Sequence, residues 1–292
     1  MAAAGAAGGE HQLFVPIAVR PFAPPDDQAN YVRFAVIGDY GSADPGEGEV
    51  ADLVKRWDPG FIITVGDNNY GTDKVAYIDQ RVGQFYSDYI YPYRGSYGSH
   101  ARSNRFYPAL GNHDWNADGL EAFQGYFTLP GNERYYDVTR GPVHFFMLDS
   151  DEREPDGVTS DSTQGRWLHS ALTRSTACWN LVVAHHAPYS SGDHGSTVGM
   201  QWPFAAWGAD AVLAGHDHHY ERIIRDGFPY FVNGLGGSSH YPVRTPITGS
   251  VVQYNDEFGA MLVEATRTKV SYRFVAIDGT LVDTFVQNGG CA

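Results

Sequence analysis

The chain has 292 residues, of which 42% are hydrophobic, and a formal net charge of -14. That length allows one large domain or two small ones, and the apolar content supports a substantial core. The acidic balance argues against a general nucleic-acid or anionic-membrane binder, which needs a basic patch, and no stretch approaches the ~18 apolar residues that span a bilayer.

Met1 to Gly9 is Ala/Gly-rich, with neither the basic start nor the long apolar core of an intact signal peptide. Residues 1–30 are expected to form a tail, flexible in part, and 31–292 a single domain. Val32 to Ile37 is a short apolar run ending in Gly38-Asp39, which predicts a buried strand. Val50, Leu53, Val54 and Trp57 recur at helical spacing, and Pro59-Gly60 stops that helix. Phe61 to Val65 is the next strand. Strand, helix and strand together predict a parallel pair with a crossover helix. Residues 77–98, rich in Tyr, Arg and Gly, predict a helix and a surface loop. Further strands are expected at Phe106 to Leu110, Val143 to Leu148, Leu181 to Ala184 and Ala211 to Ala214, with a helix over Gln164 to Leu172. After Phe228 the pattern changes. Segments 229–233, 258–265, 269–277 and 280–286 alternate or carry β-branched residues, so they are expected to pair antiparallel. The fold class is therefore α/β with a β-rich C-terminal third. Cys178 and Cys291 are the only cysteines; they either pair or remain two thiols, which depends on a separation the sequence does not give.

Five motifs end apolar runs: Gly38-Asp39-Tyr40-Gly41, Gly66-Asp67-Asn68-Asn69-Tyr70, Gly111-Asn112-His113-Asp114, Ala184-His185-His186-Ala187-Pro188-Tyr189 and Gly215-His216-Asp217-His218. In open α/β sheets, ligands sit beyond the carboxyl ends of the strands, so these motifs should converge. Asp39, Asp67 and Tyr70 offer anionic oxygens, Asn112 a neutral oxygen, and His185, His216 and His218 nitrogens. These seven donors are too many for one tetrahedral ion with an open position. They suit two ions if one carboxylate bridges. Phenolate is a hard donor and points to Fe(III), whereas imidazole and amide suit a divalent partner. Asp114 and Asp217 either orient ligand histidines or are solvated. His186 either lines the site or packs, His219 is expected in an ion pair with Glu221 or Arg222, and His240 packs. Tyr86, Tyr89, Tyr91, Tyr93, Arg94 and Tyr97 either rim the substrate pocket or serve core and surface packing.

The order of these motifs resembles the metallophosphoesterase superfamily and, within it, the purple acid phosphatases in their small single-domain form. The resemblance covers roughly residues 33–240, and Tyr70 discriminates the narrower family. It implies two mixed β-sheets packed as a sandwich and flanked by helices. It implies Asp39, Tyr70 and His218 as ligands of Fe(III), Asp67 as the bridge, and Asn112, His185 and His216 as ligands of a divalent Fe, Zn or Mn. The Val-x-x-His block fits Val182 to His185, although Pro188 has the His-x-Pro spacing from His186. His185 is preferred, because His194 then falls where the family has its second non-ligand histidine. His113 and His194 resemble the histidines that hold phosphate and assist the leaving group. The implied activity is hydrolysis of a small phosphate monoester by a metal-bound hydroxide at acidic pH. Inorganic phosphate would be product and inhibitor, secretion is implied, and no nucleic-acid or membrane partner is expected. A phosphodiesterase using the same centre and a non-catalytic metal- or phosphate-binding protein are the alternatives.

Overall fold

The computed structural model describes residues 30–115 and 120–291. The expected N-terminal tail lies outside the described residues, apart from Asn30.

The strands are β1 (Tyr31–Ile37), β2 (Phe61–Thr64), β3 (Phe106–Pro108), β4 (Tyr136–Arg140), β5 (Val143–Met147), β6 (Trp179–His186), β7 (Ala211–Gly215), β8 (Tyr220–Arg225), β9 (Phe228–Asn233), β10 (Ser250–Tyr254), β11 (Gly259–Thr266), β12 (Lys269–Ala276) and β13 (Leu281–Asn288). The α-helices are α1 (Pro45–Arg56), α2 (Lys74–Ile78), α3 (Gln84–Tyr86), α4 (Glu121–Tyr126), α5 (Thr163–Arg174) and α6 (Phe204–Trp207). Six strands form one sheet in the order β13-β12-β11-β1-β2-β3, and seven form the other in the order β10-β8-β9-β7-β6-β5-β4. Both are mixed. β1, β2 and β3 run parallel, as do β5, β6, β7 and β9.

Local sequence accounts for the elements. β1 lies between β11 and β2, which explains the continuous apolar run from Phe34 to Ile37. Pro45, whose fixed φ and missing N–H suit a first turn, opens α1, and Lys55 and Arg56 in its last turn match the helix dipole. Ser162 caps α5 by accepting from the Gly165 N–H at 3.0 Å. The sheets pack face to face through aromatic rings. Phe34 and Phe61 stack at 5.0 Å, and both meet the edge of Phe145 from the opposite sheet, at 5.0 and 5.6 Å. Tyr220 on Phe274 and Phe231 on Tyr272 repeat that inter-sheet contact further along.

Two readings of the C-terminal third need correction. Segment 229–233 lies within β9, which is antiparallel to β8 but parallel to β7. β8 and β10 were not anticipated; both carry polar residues whose partners are distant in sequence, such as Arg222 on Asp283 at 2.7 Å. Cys178 and Cys291 form a disulfide with Cα atoms 4.8 Å apart. Among the tyrosines of 77–98, Tyr86 and Tyr89 are buried in the core, and Tyr93 donates to Asp79. None of the described helices is long and apolar enough to cross a membrane.

Candidate metal centre

The parallel strands of both sheets end at one place. Asp39 follows β1, Asp67 and Tyr70 follow β2, Asn112 and His113 follow β3, His185 ends β6, and His216 and His218 follow β7. The backbone is bent to allow this: Asp39, Asp67 and His216 have φ of 57°, 54° and 73°, in the left-handed region that is unfavourable for residues with a Cβ. The glycines of the motifs have steric reasons. A Cβ on Gly66 would stand 2.5 Å from His185 Nδ1, and one on Gly111 would stand 2.2 Å from Asp67 Oδ1. Each lets a donor from a neighbouring strand approach the backbone closely.

One donor atom from each of Asp39, Asp67 and His218 lies within 4.8 Å of the others. Tyr70 Oη stands 3.3 Å from Asp39 Oδ1 and 3.1 Å from His218 Nε2. Beside this group, His185 Nε2 lies 2.9 Å from Asn112 Oδ1, 3.2 Å from His216 Nδ1 and 3.4 Å from Asp67 Oδ1. All seven candidate donors are therefore brought together, with Asp67 near the second group and Asp39 near the first.

The second nitrogen of two rings fixes which atom faces inward. His185 Nδ1 lies 2.9 Å from the Val65 carbonyl oxygen, which only accepts, so Nδ1–H donates and Nε2 is left to the cluster. His218 Nδ1 is likewise 3.1 Å from the Ser239 carbonyl oxygen. His185 Nε2 then faces an amide oxygen and a carboxylate oxygen at close range, and such acceptors repel unless a positive charge lies among them. Burial alone would push the His185 pKa down, but the carboxylate of Asp67 outweighs it and lifts the value to about 10. The cluster thus demands a cation, as a proton or as a metal ion. Tyr70 is held well above the ordinary phenol range by burial and then by Asp67 and Asp39. Only a strongly charged cation in contact would make it a phenolate. Hard oxygens with one imidazole at one end, and two imidazoles with an amide at the other, fit more than one ion.

His113 and His194 flank the cluster at opposite ends. The His113 ring lies 4.5 Å from that of Tyr70, and its backbone N–H donates to Asp67 Oδ1 at 2.8 Å. The His194 ring stacks on His216 at 4.1 Å. Its backbone N–H donates to Asp217 Oδ1 at 2.7 Å. Asp114 and Asp217 are buried and orient no ligand ring. Asp114 instead accepts from Asn68 and from the Gly111 N–H at 2.7 Å, tying the β2 and β3 loops together. His186 Nδ1 lies 2.8 Å from Ser150 Oγ, while its ring packs on that of His216, centroids 4.4 Å apart, and lines an adjoining cavity. His219 pairs with Glu221 at 3.2 Å, and His240 packs on Phe258. Sequence reasoning missed Tyr241, whose ring stacks on His218 at 4.0 Å. It also missed Lys74, whose ammonium bridges the Asn69 and His113 carbonyl oxygens. No local motif marks either.

A two-sheet α/β sandwich with this donor set at its strand ends is the scaffold of a metal-dependent phosphoesterase. The chain belongs to the calcineurin-like phosphoesterase family, whose model matches residues 32–220. Its similarity extends to purple acid phosphatases. Purple acid phosphatase 17 of Arabidopsis thaliana is 23% identical, over 91% of this chain and 87% of that protein. Human tartrate-resistant acid phosphatase type 5 is 27% identical, over 70% and 73%. Among solved structures, the purple acid phosphatase PPD1 of yellow lupin superposes with a TM-score of 0.74 at 19% identity, covering 89% of this chain and 54% of that one.

Proposed function

We propose that this chain hydrolyses phosphate monoesters at a dinuclear Fe(III)–M(II) centre, M being Fe, Zn or Mn, and works best at acidic pH. Tyr70 carries the reading, since its phenol oxygen sits within 3.3 Å of both Asp39 and His218. Asp39, Tyr70 and His218 would hold the ferric ion, and Asn112, His185 and His216 the divalent one, with Asp67 shared. Bound there, the ions supply Lewis acidity to the phosphoryl oxygens and an acidified water, and a trivalent ion acidifies water more than a divalent one does. That is the reason for the acidic optimum.

The remaining chemistry belongs to side chains. His113 and His194 bracket the donors and would hold the phosphoryl oxygens from two sides. His194, anchored through Asp217, is placed to return a proton to the departing alkoxide. The alcohol leaves, and inorganic phosphate remains as product and inhibitor. Residues 31–292 would act as one catalytic domain. The disulfide supports an extracytoplasmic site of action, where such bonds persist.

Metal analysis with a visible spectrum tests the reading. Two metals per chain including iron, with a broad charge-transfer band that Tyr70→Phe abolishes while the fold is kept, is the expected result. Two divalent ions without colour, or colour surviving Tyr70→Phe, would remove Tyr70 from the centre.

A further inference from the structure

A cavity of about 410 Å³ opens beside the donors, walled by Asn112 and His216 at one end and by Arg153, His186, Val158 and Met200 beyond them. That is far more room than a phosphate needs and falls within the usual range of small-molecule sites. A monoester held at the donors would extend its alcohol into this space.

Arg153 is the cationic side chain in that wall, and it is held in one plane. Nε and Nη2 donate to the two oxygens of Asp151 at 2.6 and 2.7 Å, and Nη2 also donates to the Asn112 carbonyl oxygen at 2.9 Å. Trp115 takes one face of the guanidinium, 5.5 Å from its ring centroid. Arg153 itself, not Trp115, lines the cavity. The loop beneath is fixed as well. Buried Gln164 bonds the backbone of Asp149 through both of its amide atoms at 2.8 Å, and Arg134 clasps Glu154 at 2.8 Å. Nη1 has no partner among the described residues, and the side chain is 45% exposed.

Asp151 already offsets the positive charge and Glu152 stands next to it, so an anionic alcohol gains little here. What Arg153 offers is a rigid flat face, with the thioether of Met200 and the methyls of Val158 as apolar company. We infer that Arg153 is the residue that recognises the leaving group, and that this cavity selects aryl phosphates over aliphatic monoesters by stacking the aromatic alcohol on the guanidinium. The inference rests on the phosphatase reading above.

The test uses metal-loaded wild type, Arg153→Ala and Arg153→Lys, with phenyl phosphate and glycerol 2-phosphate as substrates. Phenylphosphonate and methylphosphonate serve as unreactive ligands in calorimetry. Both variants should raise KM for phenyl phosphate about fivefold and weaken phenylphosphonate to match. Glycerol 2-phosphate, methylphosphonate and metal content should stay within about twofold, as expected when only stacking is lost. Equal losses for both esters would make Arg153 a support for Asn112 and overturn the inference. So would an Arg153→Lys variant that matches wild type, since Lys keeps the charge without the plane. Wild type that hydrolyses neither ester but keeps the phosphonate discrimination would end the phosphatase reading and leave the subsite standing. Loss of both turnover and discrimination would overturn both.

Discussion

At the scale of the residue, the centre is a compromise between burial and charge. His194 touches no candidate donor except by stacking on His216 at 4.1 Å. Its removal is therefore expected to leave metal content intact while kcat falls by about 10²-fold, the usual size of a general-acid contribution. A near-wild-type kcat for His194→Ala would refute the proton-donor role. Away from the centre, Glu47 is buried with no partner for Oε1 among the described residues, and burial lifts its carboxyl well above the usual range. A folded-state pKa above the unfolded one means the native state binds the extra proton, so this group lowers stability as pH rises past its unfolded value. Glu47→Gln should accordingly raise the melting temperature at neutral pH and leave it unchanged near pH ~3, where the carboxyl is protonated in both states. An equal shift at both pH values would show that packing, not ionisation, is responsible.

At the scale of the element, the two sheets depend on a few rings. Phe145 is fully buried and meets Phe34 and Phe61 across the interface. Phe145→Ala should cost about 3–5 kcal/mol in denaturant unfolding, as for other large-to-small changes in a well-packed core. A loss under about 1 kcal/mol would mean that the interface closes over the gap. The same elements show what the sequence makes legible. β1, β2, β6 and β7 are central strands that carry unbroken apolar runs, Phe34 to Ile37, Phe61 to Ile63, Leu181 to Ala184 and Ala211 to Ala214, and each run leads into a motif that holds a candidate donor. These runs could be read because burial on both faces leaves few polar residues to confuse the pattern. β4, β8 and β10 could not. Tyr136 to Arg140 alternates with charge at a sheet edge, and β8 buries Glu221 in a hub with His219, Ser191 and Ser250. The donors were legible because they follow strand ends. Arg153, Lys74 and Tyr241 were not, because their meaning lies in partners 20 or more residues away.

At the scale of the whole molecule, the centre belongs to neither sheet alone. Asp39, Asp67, Tyr70 and Asn112 come from one sheet, and His185, His216 and His218 from the other. β1, which carries Asp39, pairs along its length with β11, from Tyr31 opposite Thr266 to Val36 opposite Met261. Removing residues 258–292 should therefore abolish stoichiometric metal binding, although every candidate donor remains. Retention of two metals by the truncated chain would show that β1 is seated without β11. The pairing also imposes an order of events. A donor thirty-nine residues into the chain is not set in place until the strand that flanks it has been made, more than two hundred residues later. Metal uptake is therefore expected to wait on that pairing, because an early donor is seated by a strand that the chain supplies late.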